Sequence, residues 1–144
     1  MNTAVDTSKF LQKSFSQNCH ITSSLIASYY FRELMKSGVE EFWVLALTSS
    51  KKVIKAEMLF RGTVDACLVH PRGIFRVACL NNASSIIIAH NHPSGDCSPS
   101  PADISLTKRL VKAGKLLQLP VVDHLILTES DYYSFTDAGL LKES

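Results

Sequence analysis

Between Ser23 and Met35 the apolar residues Leu25, Ile26, Tyr29, Tyr30 and Leu34 recur at the spacing of one helix face. Ser23 or Thr22 can cap the start and Ser37-Gly38 can end it, so this stretch is predicted to be a helix. Further on, Phe42 to Thr48 and Val53 to Phe60 read as strands joined by Ser49-Ser50-Lys51-Lys52. Arg61-Gly62 then turns the chain into a third strand near Val64 to Val69, giving an antiparallel meander. Pro71 stands where a helix tolerates proline best, and Ile74, Phe75, Ala78 and Cys79 give that helix an inner face before Asn81-Asn82 ends it. Ser84 to Ala89 is continuously apolar, the pattern of a central strand covered on both faces, with His90 at its end. The loop Asn91 to Pro99 leads to a helix from Pro101 to Leu117, a strand from Val121 to Leu127 and a short strand around Tyr132 to Phe135. Phe10 to Ser16 reads as a strand captured by the sheet, whereas residues 1–8 are polar and aperiodic and read as disordered. The expected architecture is a single mixed α/β domain over residues 9–144, one β-sheet with helices packed on it.

Composition agrees and narrows the function. A chain of 144 residues makes one domain whose core needs neither disulfide nor metal to hold it, so a metal here would serve function. With 15 Lys and Arg against 13 Asp and Glu, the formal charge of +2 excludes a charge-driven nucleic-acid coat. Lys108, Lys112 and Lys115 form a basic stripe that can meet phosphates, although an ordinary solvated helix face is the simpler reading. Cys19, Cys67, Cys79 and Cys97 form no C-x-x-C pair, which suggests neither a zinc ribbon nor a disulfide framework. The N-terminus lacks the basic start and apolar stretch of a signal peptide, and Ile86-Ile87-Ile88-Ala89 is too short to cross a bilayer. The expectation is a soluble cytoplasmic protein without membrane contact.

The segment that carries chemistry is His90-Asn91-His92-Pro93-Ser94-Gly95-Asp96-Cys97-Ser98-Pro99-Ser100-Pro101-Ala102-Asp103. Histidines at i and i+2 of extended backbone project to the same face and can chelate one ion. Pro93, Gly95 and Pro99 stiffen and turn the intervening loop, which can bring Asp103 back toward the imidazoles. Two imidazoles, a carboxylate and a water make the four-coordinate set of a catalytic zinc. Each part also has a plain structural reading. His-x-His can be a hydrogen-bonded pair, and Ser100-Pro101-Ala102-Asp103 is a capping box with Pro at the first helical position. It is their joint occurrence that favours a metal site.

The string His90-x-His92-Pro93 through Ser100-x-x-Asp103 resembles the JAMM (MPN+) metalloprotease signature, and His-Asn-His-Pro-Ser-Gly-Asp resembles its RadC-like branch. Leu59-Phe60-Arg61-Gly62-Thr63, Val69-His70-Pro71-Arg72, Ile86-Ile87-Ile88-Ala89 and Asp123-His124-Leu125-Ile126 extend the likeness over about Thr22 to Leu140. The resemblance implies a JAMM/MPN-like fold and one zinc held by His90, His92 and Asp103. It also implies Ser100 near the scissile carbonyl and an upstream Glu as general base. In the family pattern that Glu opens the strand after the first helix, and Glu40-Glu41-Phe42-Trp43-Val44-Leu45 has this form. Glu40 is the choice, with Glu41 adjacent and Glu57 a third candidate. The implied reaction is zinc-dependent hydrolysis of a peptide or isopeptide bond in which the Glu takes a proton from the activated water.

Two positions depart from the RadC-like pattern. Cys97 replaces a usual proline and offers a thiol that can compete for metal or be oxidised. Gly73 replaces a usual acid and loosens its helix start by up to ~1 kcal/mol. The helix-hairpin-helix residues of longer RadC-like proteins are absent, so the chain reads as a stand-alone catalytic-type domain. Two other functions compete: a non-catalytic MPN-type binding module, and a DNA-repair-associated factor, as RadC-like proteins have been described. The near-zero charge speaks for weak or absent DNA binding. His124, alone in an apolar strand beside Asp123, reads as a satisfied core residue before it reads as support for the metal, and His20 and His70 belong to no constellation. Neither the substrate nor the oligomeric state is legible.

Overall fold

The computed structural model describes residues 19–35, 38–62 and 69–141. The disordered stretch expected over residues 1–8, the strand expected over Phe10 to Ser16, Cys67 and most of the third strand expected near Val64 to Val69 lie outside the described residues. Val69 itself is buried and outside any strand.

The elements follow in the order α1 (Ser24–Leu34), β1 (Glu41–Leu47), β2 (Val53–Arg61), α2 (Pro71–Leu80), β3 (Ser85–Asn91), α3 (Pro101–Leu117), β4 (Val121–Leu127) and β5 (Tyr132–Ser134). The five strands form one mixed sheet in the order β2-β1-β3-β4-β5. β1 runs antiparallel to both β2 and β3, β3 parallel to β4, and β4 antiparallel to β5. The parallel pair requires a crossover, which α3 supplies.

Alternation along the strands divides the core into two layers. Phe42, Val44, Ala46, Ile86 and Ile88 pack with Ile74, Phe75, Val77 and Ala78 of α2 and Leu106 and Leu110 of α3. On the other face Leu45, Leu47, Ile87, Ala89, Leu125 and Leu127 pack with Ala27, Tyr30 and Phe31 of α1. Helices on both faces explain the unbroken apolar run of β3, which is buried from Ser85 through His90. Two expectations need correcting. The strand runs on through His90 to Asn91, and Cys79 is exposed, with Val77 taking the inward position beside the residues of α3.

α1 starts where expected, the Ser23 hydroxyl accepting from the Ile26 N–H at 3.2 Å. α2 begins at Pro71 without a side-chain cap, despite Gly73 in its first turn. α3 ends through Gln118 in the left-handed conformation, and the Leu119 N–H bonds the Gly114 carbonyl at 2.7 Å. This turn folds the backbone onto the helix so closely that a Cβ at Gly114 would collide with the Leu119 carbonyl oxygen, which is backbone and cannot rotate away. Gly114→Ala is therefore expected to destabilise the domain by about 1–3 kcal/mol, the usual cost of overpacking, and thermal unfolding by circular dichroism measures it. An unchanged melting temperature would show that the turn relaxes freely.

Candidate metal centre

The centre lies at the carboxyl end of β3 and the start of α3, where the parallel crossover leaves the sheet. His90 occupies the penultimate position of β3 and is 3% exposed, while His92 follows the strand directly. Their Nε2 atoms lie 3.1 Å apart. Asp103 Oδ1 is 3.3 Å from His90 Nε2, and Oδ2 is 3.5 Å from His92 Nε2. The three residues thus present one ligand atom each within 4.8 Å of one another, the only cluster of this kind among the described residues.

Both plain readings of this segment are present together with the cluster. The Ser100 hydroxyl accepts from the Asp103 N–H at 3.0 Å, and Asp103 Oδ2 accepts from the Ser100 N–H at 2.9 Å, a complete capping box with Pro101 at the helix start. An ionised carboxylate has about four acceptor sites, so capping one N–H leaves room to face the imidazoles. The cap fixes the carboxylate that the histidines meet, and the loop between them contributes too. His92 Nδ1 donates to the Asp96 carbonyl at 2.9 Å, turning Nε2 toward Asp103.

The electrostatics follow from this packing. Burial alone would push the Asp103 carboxyl up, but the imidazoles of His90 and His92 beside it and the Ser100 N–H outweigh it and hold the group well below the ordinary carboxylate range. His92 is raised by its bond to Asp103, against burial, and by the Asp96 carbonyl and the charges of Asp103 and Glu40. A group of two imidazoles and an ionised carboxylate this close together could hold a cation. The donor set suits one: two imidazole nitrogens and a carboxylate are residue types that hold a divalent metal ion.

Glu40 sits immediately before β1, and its charge reaches His92. Phe42 is opposite His90 in the register, so alternation puts Glu40 on the same sheet face as His90 and Glu41 on the other. Glu41 is 5% exposed, accepts from Trp43 Nε1 at 3.1 Å and lies 3.7 Å from Arg61 Nε. Glu57 is opposite Val44 on β2, with β1 between it and the histidine strand. Cys97 is outside the ligand cluster, and burial pushes its thiol upward, toward the protonated form.

Asn91, Thr107, Phe42 and Phe135 were not legible as supporting residues, and His124 read as a core residue before it read as support for the metal. Asn91, between the histidines, accepts from the Glu41 N–H at 2.6 Å and donates to the Val39 carbonyl at 3.0 Å, so it clamps the backbone on both sides of Glu40. The Glu40 carbonyl is held in turn by the Gly62 N–H at 2.9 Å. His124, fully buried, lies 2.9 Å from His90 Nδ1 and reaches Thr107 Oγ1 at 2.6 Å. Phe42 stacks on His90 and Phe135 on His124, walling this histidine pair with aromatic rings. Asp123 turns the other way and ties β4 to the segment after β5, accepting from Ser134 Oγ, the Thr136 N–H and the His124 N–H.

A profile described as "RadC-like JAB domain" matches residues 21–140. A UPF0758 protein of Thermosynechococcus vestitus is 46% identical over 114 residues, 79% of this chain and 46% of that protein. One from Chlorobium chlorochromatii is 44% identical over 116 residues, 81% of this chain and 52% of its own. A third, from Methanosarcina barkeri, is 42% identical over 112 residues, covering 78% and 49% respectively. The chain spans about half the length of the curated relatives it matches.

Proposed function

The chain belongs to the family of RadC-like JAB domains, and on that premise we propose that it is a zinc-dependent hydrolase of peptide or isopeptide bonds. The observation that carries this reading is the convergence of His90, His92 and Asp103, each aimed by a second hydrogen bond, with Glu40 outside the ligand set on the same sheet face as His90.

His90 and His92 through Nε2, and Asp103 through its carboxylate, would hold the ion. Zinc bound there supplies Lewis-acid chemistry, acidifying water and polarising a carbonyl. Glu40 takes the proton from the attacking water and returns it to the leaving amine, so it acts as base and then as acid. The Ser100 hydroxyl has its acceptor side engaged by the Asp103 N–H, which leaves its O–H to donate to the developing oxyanion. Removal of one such donor costs about 2.7–4 kcal/mol in well-studied cases. A cleft of about 430 Å³ beside His92, bordered by Arg32, Met35, Asn91, Pro93 and Thr128, gives an extended chain a place to lie.

The test is a screen of peptide and isopeptide substrates with purified protein, before and after chelation and after zinc is restored. Hydrolysis that disappears and returns with zinc supports the reading. A zinc-loaded protein inert to the whole screen favours a non-catalytic binding module. Because the two core layers close without the ion, chelation is expected to lower the melting temperature yet leave a folded domain, as read by circular dichroism. Complete unfolding would make the metal structural.

No helix among the described residues is long and apolar enough to cross a membrane. Duplex DNA should bind weakly and be released at physiological salt, because Lys108, Arg109 and Lys112 of α3 offer few phosphate contacts. Sub-micromolar affinity at that salt, by fluorescence anisotropy, would favour the DNA-repair function instead.

A further inference from the structure

We infer that His124 and Thr107 form a proton-ordered chain that fixes the tautomer of His90, making His124 a positioning residue for the metal ligand. The inference rests on the metal-centre reading above. It follows from counting protons along four groups on three different elements.

The chain starts from an acceptor that cannot donate. The Asp103 backbone carbonyl receives a hydrogen bond from Thr107 Oγ1 at 2.8 Å, so the single hydroxyl proton of Thr107 is spent there. Toward His124 Nδ1, 2.6 Å away, Thr107 Oγ1 can only accept, and Nδ1 must carry a hydrogen. The His124 ring is fully buried, stacked on Phe135 at 4.6 Å with Phe42 at its edge, surroundings in which a second ring proton and its charge would be costly. Its Nε2 is therefore bare and accepts from His90 Nδ1 at 2.9 Å. His90 in turn has a bare Nε2, the atom that meets His92 and Asp103.

This geometry joins β3, β4 and α3 in one loop of bonds that begins at one ligand, His90, and ends on the backbone of another, Asp103. The Nδ1 of His92 is likewise fixed as a donor, by a direct bond to the Asp96 carbonyl. His90 has no carbonyl in that role, and the side chains of His124 and Thr107 relay one to it. If Thr107 lost its hydroxyl, His124 Nδ1 would lose its acceptor. His124 could then place its hydrogen on Nε2, which would force His90 to accept at Nδ1 and carry its own hydrogen on Nε2, where it could not ligate.

The test compares wild type with Thr107→Val, which keeps the shape and removes the hydroxyl, and Thr107→Ser, which restores it. Two readouts are needed: the ring ¹⁵N shifts of His90 and His124 in metal-free protein, which report the tautomer directly, and zinc affinity by competition with a chromogenic chelator. The expected result is His90 as the Nδ1–H tautomer in wild type and in Thr107→Ser. Thr107→Val should show mixed tautomers and about 10–100-fold weaker zinc binding, the usual cost of losing a group that orients a metal-bound histidine. A merely structural role would lower the melting temperature while leaving both the tautomer and the affinity unchanged, and that result overturns the inference. So does a wild-type His90 that carries its hydrogen on Nε2. If wild type itself takes up no zinc, the metal-centre reading fails and the inference falls with it; wild type and Thr107→Val binding zinc equally would overturn the inference alone.

Discussion

Replacing Glu40 with Gln is expected to leave zinc uptake intact and to lower amide turnover about 10²–10⁴-fold, the usual loss when a general base is removed. Metal content separates this residue from the ligands, because Glu40 is not in the His90, His92 and Asp103 cluster. Its placement follows from register: Phe42 opposite His90 puts Glu40 on the histidine face, and Asn91 clamps the flanking backbone at Val39 and Glu41. A base held on both sides stays within reach of its proton, whereas a looser carboxylate loses rate through misplacement. Glu41→Gln is the matched control. Its side chain faces the other layer, bonded to Trp43 and beside Arg61, and the amide oxygen of Gln can still accept from the indole, so turnover should stay near wild type. Steady-state kinetics on the best substrate of the screen, together with elemental analysis, measures both variants. The reverse ranking would move the base to Glu41, and full activity in both would remove it from this segment.

What the sequence made legible, and what it hid, divides along a physical line. Local signals held up: β3 is apolar from Ile86 to Ala89 because helices cover both its faces, and α3 begins at a capping box that four consecutive residues spell out. The possible ligands were also legible, since His90, His92 and Asp103 lie within fourteen residues of one another. Hidden were the relations set by strand order. His124 meets His90 only because β4 lies beside β3, and Glu40 separates from Glu41 only once the pairing of β1 with β3 is fixed. Thr107 carried no signal beyond its place one turn after Asp103, and Asn91 read only as the first residue of the loop after His90. The outward Cys79 has a similar origin: helical spacing gives the width of an apolar stripe, but packing decides which edge residue is covered, and Val77 is the one buried in the layer that α2 shares with β1, β3 and α3.

Wild-type protein is expected to bind about one zinc per chain, and the variant His90→Ala, His92→Ala, Asp103→Asn to bind none. Asn is preferable to Ala at position 103 because two roles meet in that carboxylate. Its Oδ2 caps the Ser100 N–H, and losing a cap of this kind costs about 1 kcal/mol, which would blur loss of metal with loss of fold. The amide oxygen of Asn can still accept from Ser100, while the charge that balances a divalent ion is gone. The histidine changes remove both imidazole donors, leaving no grouped set of three ligands among the described residues. His124 stays in place in this variant, so a zinc content that falls to zero shows that His124 alone does not hold the ion. Elemental analysis of the purified proteins, with melting curves to confirm that the variant is folded, gives the answer. One zinc per chain in the folded variant would place the metal elsewhere and remove the basis for the hydrolase.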